Sequence, residues 1–145
     1  MLGLKIEDVR GFMSKLLKEN MFDAFGVNKV HILSYMQLDI LKKDGVKEGA
    51  VKWDKIKHTV FGFIKNSETP HKIKIVLGCD GNKIDIVSDV ELFLNILYEK
   101  DRMLVTSGIA MDSFSSDITL EKGYILAWDN WIIDFFNKNK INYKQ

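Results

Sequence analysis

Ile73-Lys74-Ile75-Val76-Leu77-Gly78-Cys79-Asp80-Gly81-Asn82-Lys83-Ile84-Asp85-Ile86 carries the clearest local pattern in the chain. Ile73, Ile75 and Leu77 fall on alternate positions, and Asp80-Gly81 suits a two-residue hairpin turn. Folding about that turn sets Cys79 opposite Asn82, Leu77 opposite Ile84 and Ile75 opposite Ile86. A one-residue slip would set apolar side chains against polar ones. The stretch predicts a tight hairpin, and with it an antiparallel sheet.

The pattern continues toward the C-terminus. Val90 to Tyr98 predicts a strand, Lys100-Asp101 a turn, and Met103 to Met111 the returning strand. Leu92, Leu94, Ile96 and Tyr98 share one face, while Phe93 and Leu97 share the other. Two apolar faces mark a central strand covered on both sides, or one at an interface. Asp112 to Asp117 reads as a polar loop. A last helix follows from about Leu120 to Lys140, with the stripe Tyr124, Trp128, Trp131, Ile132, Phe135 and Phe136.

Upstream, Trp53, Ile56, Val60, Phe61 and Ile64 repeat at helical spacing and predict a helix over 53–66. The sole proline, Pro70, holds Thr69 away from helical angles. Residues 28–41 alternate as a half-buried strand, but fourteen residues require a bend or bulge. Val9, Phe12, Met13, Leu16 and Leu17 lie on one face of a helix over about 7–19, with Glu7 and Asp8 at its positive start. Gly11 inside it costs about 1 kcal/mol relative to alanine, and a close packing contact would account for it. Leu2 to Ile6 is a first strand.

The expected order is therefore β-α-β-β-α-β-β-β-β-α. The class is α+β, with a largely antiparallel sheet, three main helices and a long C-terminal helix packed on the sheet. A length of 145 residues suits a single domain over 1–145, since two cores would each approach the lower limit for unaided folding.

Composition narrows the function classes. Twenty-one Lys and Arg face 20 Asp and Glu, so the net charge of +1 argues against binding polyanions by bulk charge; a local patch stays open. Nucleic acid is thus not an expected general partner. One Cys cannot close an internal disulfide. No run of about 18 apolar residues spans a membrane, and Lys5 and Glu7 break any secretory leader, so the expectation is cytoplasmic, without membrane association. Charge is uneven along the chain: net +5 over 1–79, −7 over 80–134 and +3 over 135–145. Separate patches could drive association into a homo-oligomer, whereas interleaving in space would cancel them.

The set Leu4-Lys5-Ile6 with Asp8-Val9, Phe12-Met13, Lys15-Leu16-Leu17, Phe22-Asp23, Trp53, Phe63-Ile64-Lys65, Thr69-Pro70, Leu92-Phe93-Leu94-Asn95-Ile96, Tyr98-Glu99, Thr106-Ser107-Gly108 and Ala127-Trp128-Asp129 carries a resemblance. From Met1 to about Ile141 the chain resembles an uncharacterised family of small bacterial proteins, catalogued only as a domain of unknown function. It departs from that family around 43–52 and 79–89. The resemblance implies one intact domain in a bacterial cytoplasm, and brings no activity, cofactor or catalytic residue with it.

Candidate chemistry is sparse. His31, His58 and His71 lack metal-ligand spacing to one another or to Cys79, and read as surface histidines. A reactive cysteine needs a base or a positive helix end, and Lys83 near Cys79 is one charge in solvent, so Cys79 reads as structural. Asp80 to Asp85 lacks the alternate oxygen ligands and closing Glu of a calcium loop. No phosphate-binding glycine loop, G-x-S-x-G or H-E-x-x-H is present. The expectation is no metal, no cofactor and no catalytic set.

A non-enzymatic binding or assembly module is the leading expectation. One alternative is an enzyme or small-ligand site near 112–117, using Asp112 and Asp117 with Asn95, Thr106 and Ser107 if they cluster; Ser and Asp there also serve as turn and cap residues. Another rests on topology, since β-α-β-β followed by α-β-β-β is similar to one domain of a DNA sliding clamp. A ring of that kind needs a basic helical lining, for which Lys15, Lys18, Lys55, Lys57 and Lys65 are the candidates.

Overall fold

Alternating burial along the strands decides which way each residue points. The structure, a computed structural model, describes residues 1–47, 49–80, 84, 90–111 and 118–145, without the side chains of 80, 111 and 118–120. The elements are β1 (Gly3–Ile6), α1 (Val9–Leu17), β2 (Gly26–Leu33), β3 (Gln37–Leu41), α2 (Trp53–Asn66), β4 (Lys72–Asp80), β5 (Val90–Glu99), β6 (Arg102–Met111), α3 (Ile118–Lys138) and β7 (Tyr143–Lys144). The strands form one seven-stranded antiparallel sheet in the order β3-β2-β4-β5-β6-β1-β7. The class is α+β, and the long C-terminal helix packs on the sheet, as the sequence predicts.

One parity of five strands is buried: Leu4 and Ile6, Val30 and Ile32, Ile73, Ile75 and Leu77, Leu92, Leu94 and Ile96, and Met103 and Val105. These join the buried helix residues Phe12, Leu16, Trp53, Val60, Trp128, Ile132 and Phe136 in one hydrophobic core. All three helices therefore lie on the same face of the sheet. Among the described residues the other face carries no helix.

Specific ties fix the helices. Asp8 caps α1, its carboxylate accepting from the Gly11 N–H at 3.0 Å. That contact also accounts for Gly11, because a Cβ there would sit 2.8 Å from Asp8 Cγ. Trp53, fully buried at the start of α2, donates its indole N–H to the Leu16 carbonyl at 2.7 Å. Leu16 lies in the last turn of α1, where carbonyls lack intrahelical partners, so the bond satisfies an orphan acceptor and joins α1 to α2. Trp128 of α3 likewise donates to the Phe93 carbonyl at 2.9 Å.

The stretch 28–41 resolves into β2 and β3, folded about Ser34–Met36, with a register irregularity between Val27 and Lys29. Lys100-Asp101 is the expected two-residue turn, with Glu99 opposite Arg102 and positive φ of 53° and 62° at its two residues. The 73–86 hairpin pairing is corrected. Leu77 lies opposite Leu94 and Ile75 opposite Ile96 on one side, and opposite Val27 and Val30 on the other. Both edges of β4 are therefore occupied from Lys72 to Gly78, while Asn82 and Ile86 of the expected hairpin lie outside the described residues. The nine-pair ladder with β5 buries far more than the short local hairpin offered. Ile84 packs against the core, and most of 81–89 lies outside the described residues.

Candidate functional site

The apolar stripe of a helix can be wider than its core contact. In α1, Phe12, Leu16 and Leu17 point into the core, while Val9 and Met13 stay half-buried. In α2, Trp53 and Val60 are buried, while Phe61 and Ile64 are half-buried. These leftovers face each other across a groove of about 690 Å³ between α1 and α2. Ile73 of β4 forms its floor, with Pro70 and Tyr98 at one wall. Arg10, in the first turn of α1, and Lys18, its C-cap, both line the groove, eight residues and so about 12 Å apart along the helix axis. Lys18 holds its ammonium 5.5 Å from the centre of the Phe61 ring.

Tyr98 and Asp101 complete the rim. The Tyr98 hydroxyl donates to Asp101 Oδ1 at 3.0 Å. Burial, and then the hydrogen bond to that carboxylate, push the Tyr98 phenol above its ordinary value, so it remains a neutral donor. A second hollow of about 400 Å³, lined by Tyr35 and His71 among others, shares Pro70, Tyr98 and Asp101 with the groove.

The residues singled out in the sequence scatter. Asn95 and Thr106 do meet, directly opposite each other on β5 and β6, on the helix-free face. Ser107 does not join them, because successive strand residues point to opposite faces. It is 1% exposed on the helical side, donates to Asp129 of α3 at 2.5 Å and accepts from the Leu2 N–H at 2.9 Å. That is a structural tie between the N-terminus, β6 and α3. Asp112 and Asp117 lie outside the described residues.

The five helix cations also separate. Lys57 is corrected: it is 7% exposed and turned inward, donating to Asp23 at 2.6 Å and to the Glu19 carbonyl at 3.0 Å. Lys15 lies 4.0 Å from Glu19, one helical turn on. Lys18, Lys55 and Lys65 are exposed. His31 bonds Asp39 across β2 and β3 at 2.5 Å, while His58 is exposed on α2. Asp39, which accepts from Gln37 and then His31, is held below the usual carboxylate value by those two bonds. Cys79 is buried on β4. Among the described residues no three His, Cys, Asp or Glu side chains converge as a metal site. No described helix is long and apolar enough to cross a membrane.

The groove was not legible in the sequence because its residues look like core. The available signal was excess: α1 places five apolar residues in nine, more than a two-layer contact consumes.

No curated protein matches the chain, and no solved structure does. A family match covers nearly the whole length. Over residues 15–144 the chain matches the family of unknown function DUF5721, and it belongs to that family.

Proposed function

We propose that the protein is a non-enzymatic binding module of the cytoplasm, acting as a single domain, and that the α1–α2 groove takes a small amphiphilic organic anion. The observation that carries this reading is the combination, in one concavity, of an apolar body with two cations, Arg10 and Lys18, in its lining. A volume of about 690 Å³ falls in the usual range for small-molecule sites. Met13 and Phe61 offer adaptable apolar contact along the body of such a ligand. Arg10 or Lys18 would meet its acidic group. The rim carboxylate, Asp101, is already held by Tyr98. A reducing compartment suits a chain whose one cysteine is buried.

The test is a fluorescence titration with 8-anilinonaphthalene-1-sulfonate, itself an apolar anion, followed by displacement with decanoate and with decylamine. The expected result is one saturable site, displaced by decanoate at lower concentration than by decylamine. Met13→Trp should fill the groove and abolish binding without lowering the melting temperature. Binding that is unsaturable, or unchanged in Met13→Trp, would overturn the proposal.

A further inference from the structure

A seven-stranded sheet with its helices on one side leaves a second face, and cross-strand register arranges that face in rows. One row runs Asp39, His31, Lys74, Leu97, Leu104, Lys5, Lys144 across all seven strands. The next runs Lys29, Val76, Asn95, Thr106, Gly3. A third sets Phe93 between Gly78 and Gly108.

Three features of these rows point the same way. The first is charge. The middle rows hold Lys29 and Lys74 on one side and Lys5 and Lys144 on the other. Their one acid, Asp39, is occupied by Gln37 and His31. The acids of β5 sit at its ends, Glu91 at one and Glu99, opposite Lys72 and Arg102, at the other. Lys5 and Lys144 lie directly opposite each other, an arrangement that costs stability within the fold and that an anion would relieve. From Lys29 on β2 to Lys5 on β1 the span is four strand spacings, about 19 Å.

The second feature is flatness. Glycines at 3, 78 and 108 remove side chains from the face, and Phe93 leans over β6: its Cδ2 lies 3.8 Å from where a Gly108 Cβ would stand. The third is polarity at the centre. Asn95 and Thr106 offer hydrogen-bond donors and acceptors beside Phe93, and Leu104 is 42% exposed between them and Lys5.

We infer that this face binds single-stranded nucleic acid, with the lysines on phosphates, Phe93 stacking on a base and Asn95 and Thr106 reaching base edges. Lysine provides point charges without the fork geometry that reads guanine, so recognition is tolerant of sequence. A flat face with an aromatic and central amide suits splayed bases better than a helix of a partner protein, whose ridges need a groove. The inference is independent of the α1–α2 groove. It also moves the cationic surface from the helices to the sheet.

The experiment is fluorescence anisotropy of the full chain with labelled 20-nucleotide oligo-dT and oligo-U, a duplex of equal length, and poly-glutamate as competitor. Four phosphate contacts give a binding constant that falls about fifty-fold between 50 and 200 mM salt. Lys29→Glu with Lys74→Glu should abolish binding, and Phe93→Leu should weaken it about five-fold or more while melting like the wild type. Should the double charge reversal fail to fold, Lys74→Gln alone carries the same test with a smaller loss. Lys55→Glu with Lys65→Glu, on α2, should leave binding unchanged. No binding at 50 mM salt overturns the inference. So does equal affinity for duplex, loss in the α2 variant in place of the sheet variant, or displacement by poly-glutamate at the same charge concentration.

Discussion

Lys57→Met removes one ammonium from a nearly closed site and keeps the length of the side chain. In the native protein that ammonium donates to Asp23 at 2.6 Å and to the Glu19 carbonyl at 3.0 Å, and so ties α2 to the segment after α1. Breaking a fully buried pair costs about 3–5 kcal/mol, because the abandoned charge cannot rehydrate. Asp23 keeps 29% of its side-chain surface, so water reaches it and the penalty shrinks. Screening is correspondingly partial, and a loss of about 2 kcal/mol is expected. Urea melts at pH 7, with and without 0.5 M salt, measure it. Lys57→Met with Asp23→Leu should recover most of the loss, since replacing both partners by apolar groups leaves no orphan charge. A double-mutant cycle then returns a coupling of about 1–2 kcal/mol. A single variant within about 0.5 kcal/mol of wild type would show that the pair is a surface contact in solution, and the account of Lys57 would fall.

Two further outcomes follow from the β5–β6 turn. Lys100 holds a φ of 53°, which costs an L-residue about 1–2 kcal/mol, so Lys100→Gly should stabilise by about 0.5–1 kcal/mol after the entropy of the unfolded glycine is subtracted. Calorimetry should record a melting point raised by about 1–4 °C, and a lowered one would contradict the turn geometry. Tyr98 should ionise above the ordinary tyrosine value of 10.0 when absorbance at 295 nm is followed upward in pH. Its raised folded value means its contribution to stability is intact below its unfolded value of 10.0, and is lost as pH climbs through the folded value. Asp101→Asn, which removes the adjacent negative charge, should bring that titration down; a titration unchanged in Asp101→Asn would refute the Tyr98–Asp101 bond.

Local periodicity carried much of the fold. The 53–66 helix stands at its expected bounds because Trp53, Val60 and their neighbours keep one face over four turns. The Lys100-Asp101 turn was legible because two long apolar strands flank two polar residues. The 73–86 hairpin was misread for the same kind of reason. Alternating Ile and Leu residues fit any partner of the same parity, and both the 84–86 segment and β5 offer one. Parity also separated Ser107 from Asn95 and Thr106, a distinction the strand position contains but a list of candidate residues hides. Charge along the chain gave little warning of charge in space. Lys72 from the basic segment pairs with Glu99 from the acidic one, while Lys5 and Lys144, from opposite ends, meet.

Sequence alone determined what depends on neighbours within a turn or two: which segments are helix or strand, which parity is apolar, and where Asp8 and Asp101 stand at ends and turns. Tertiary structure decided what depends on partners distant in the chain. It placed β4 between β2 and β5, turned Lys57 inward to Asp23, and put the surplus apolar residues of α1 opposite those of α2. Side-chain period fixes a face without naming what the face meets. The meeting is settled by the total area that all the elements can bury together.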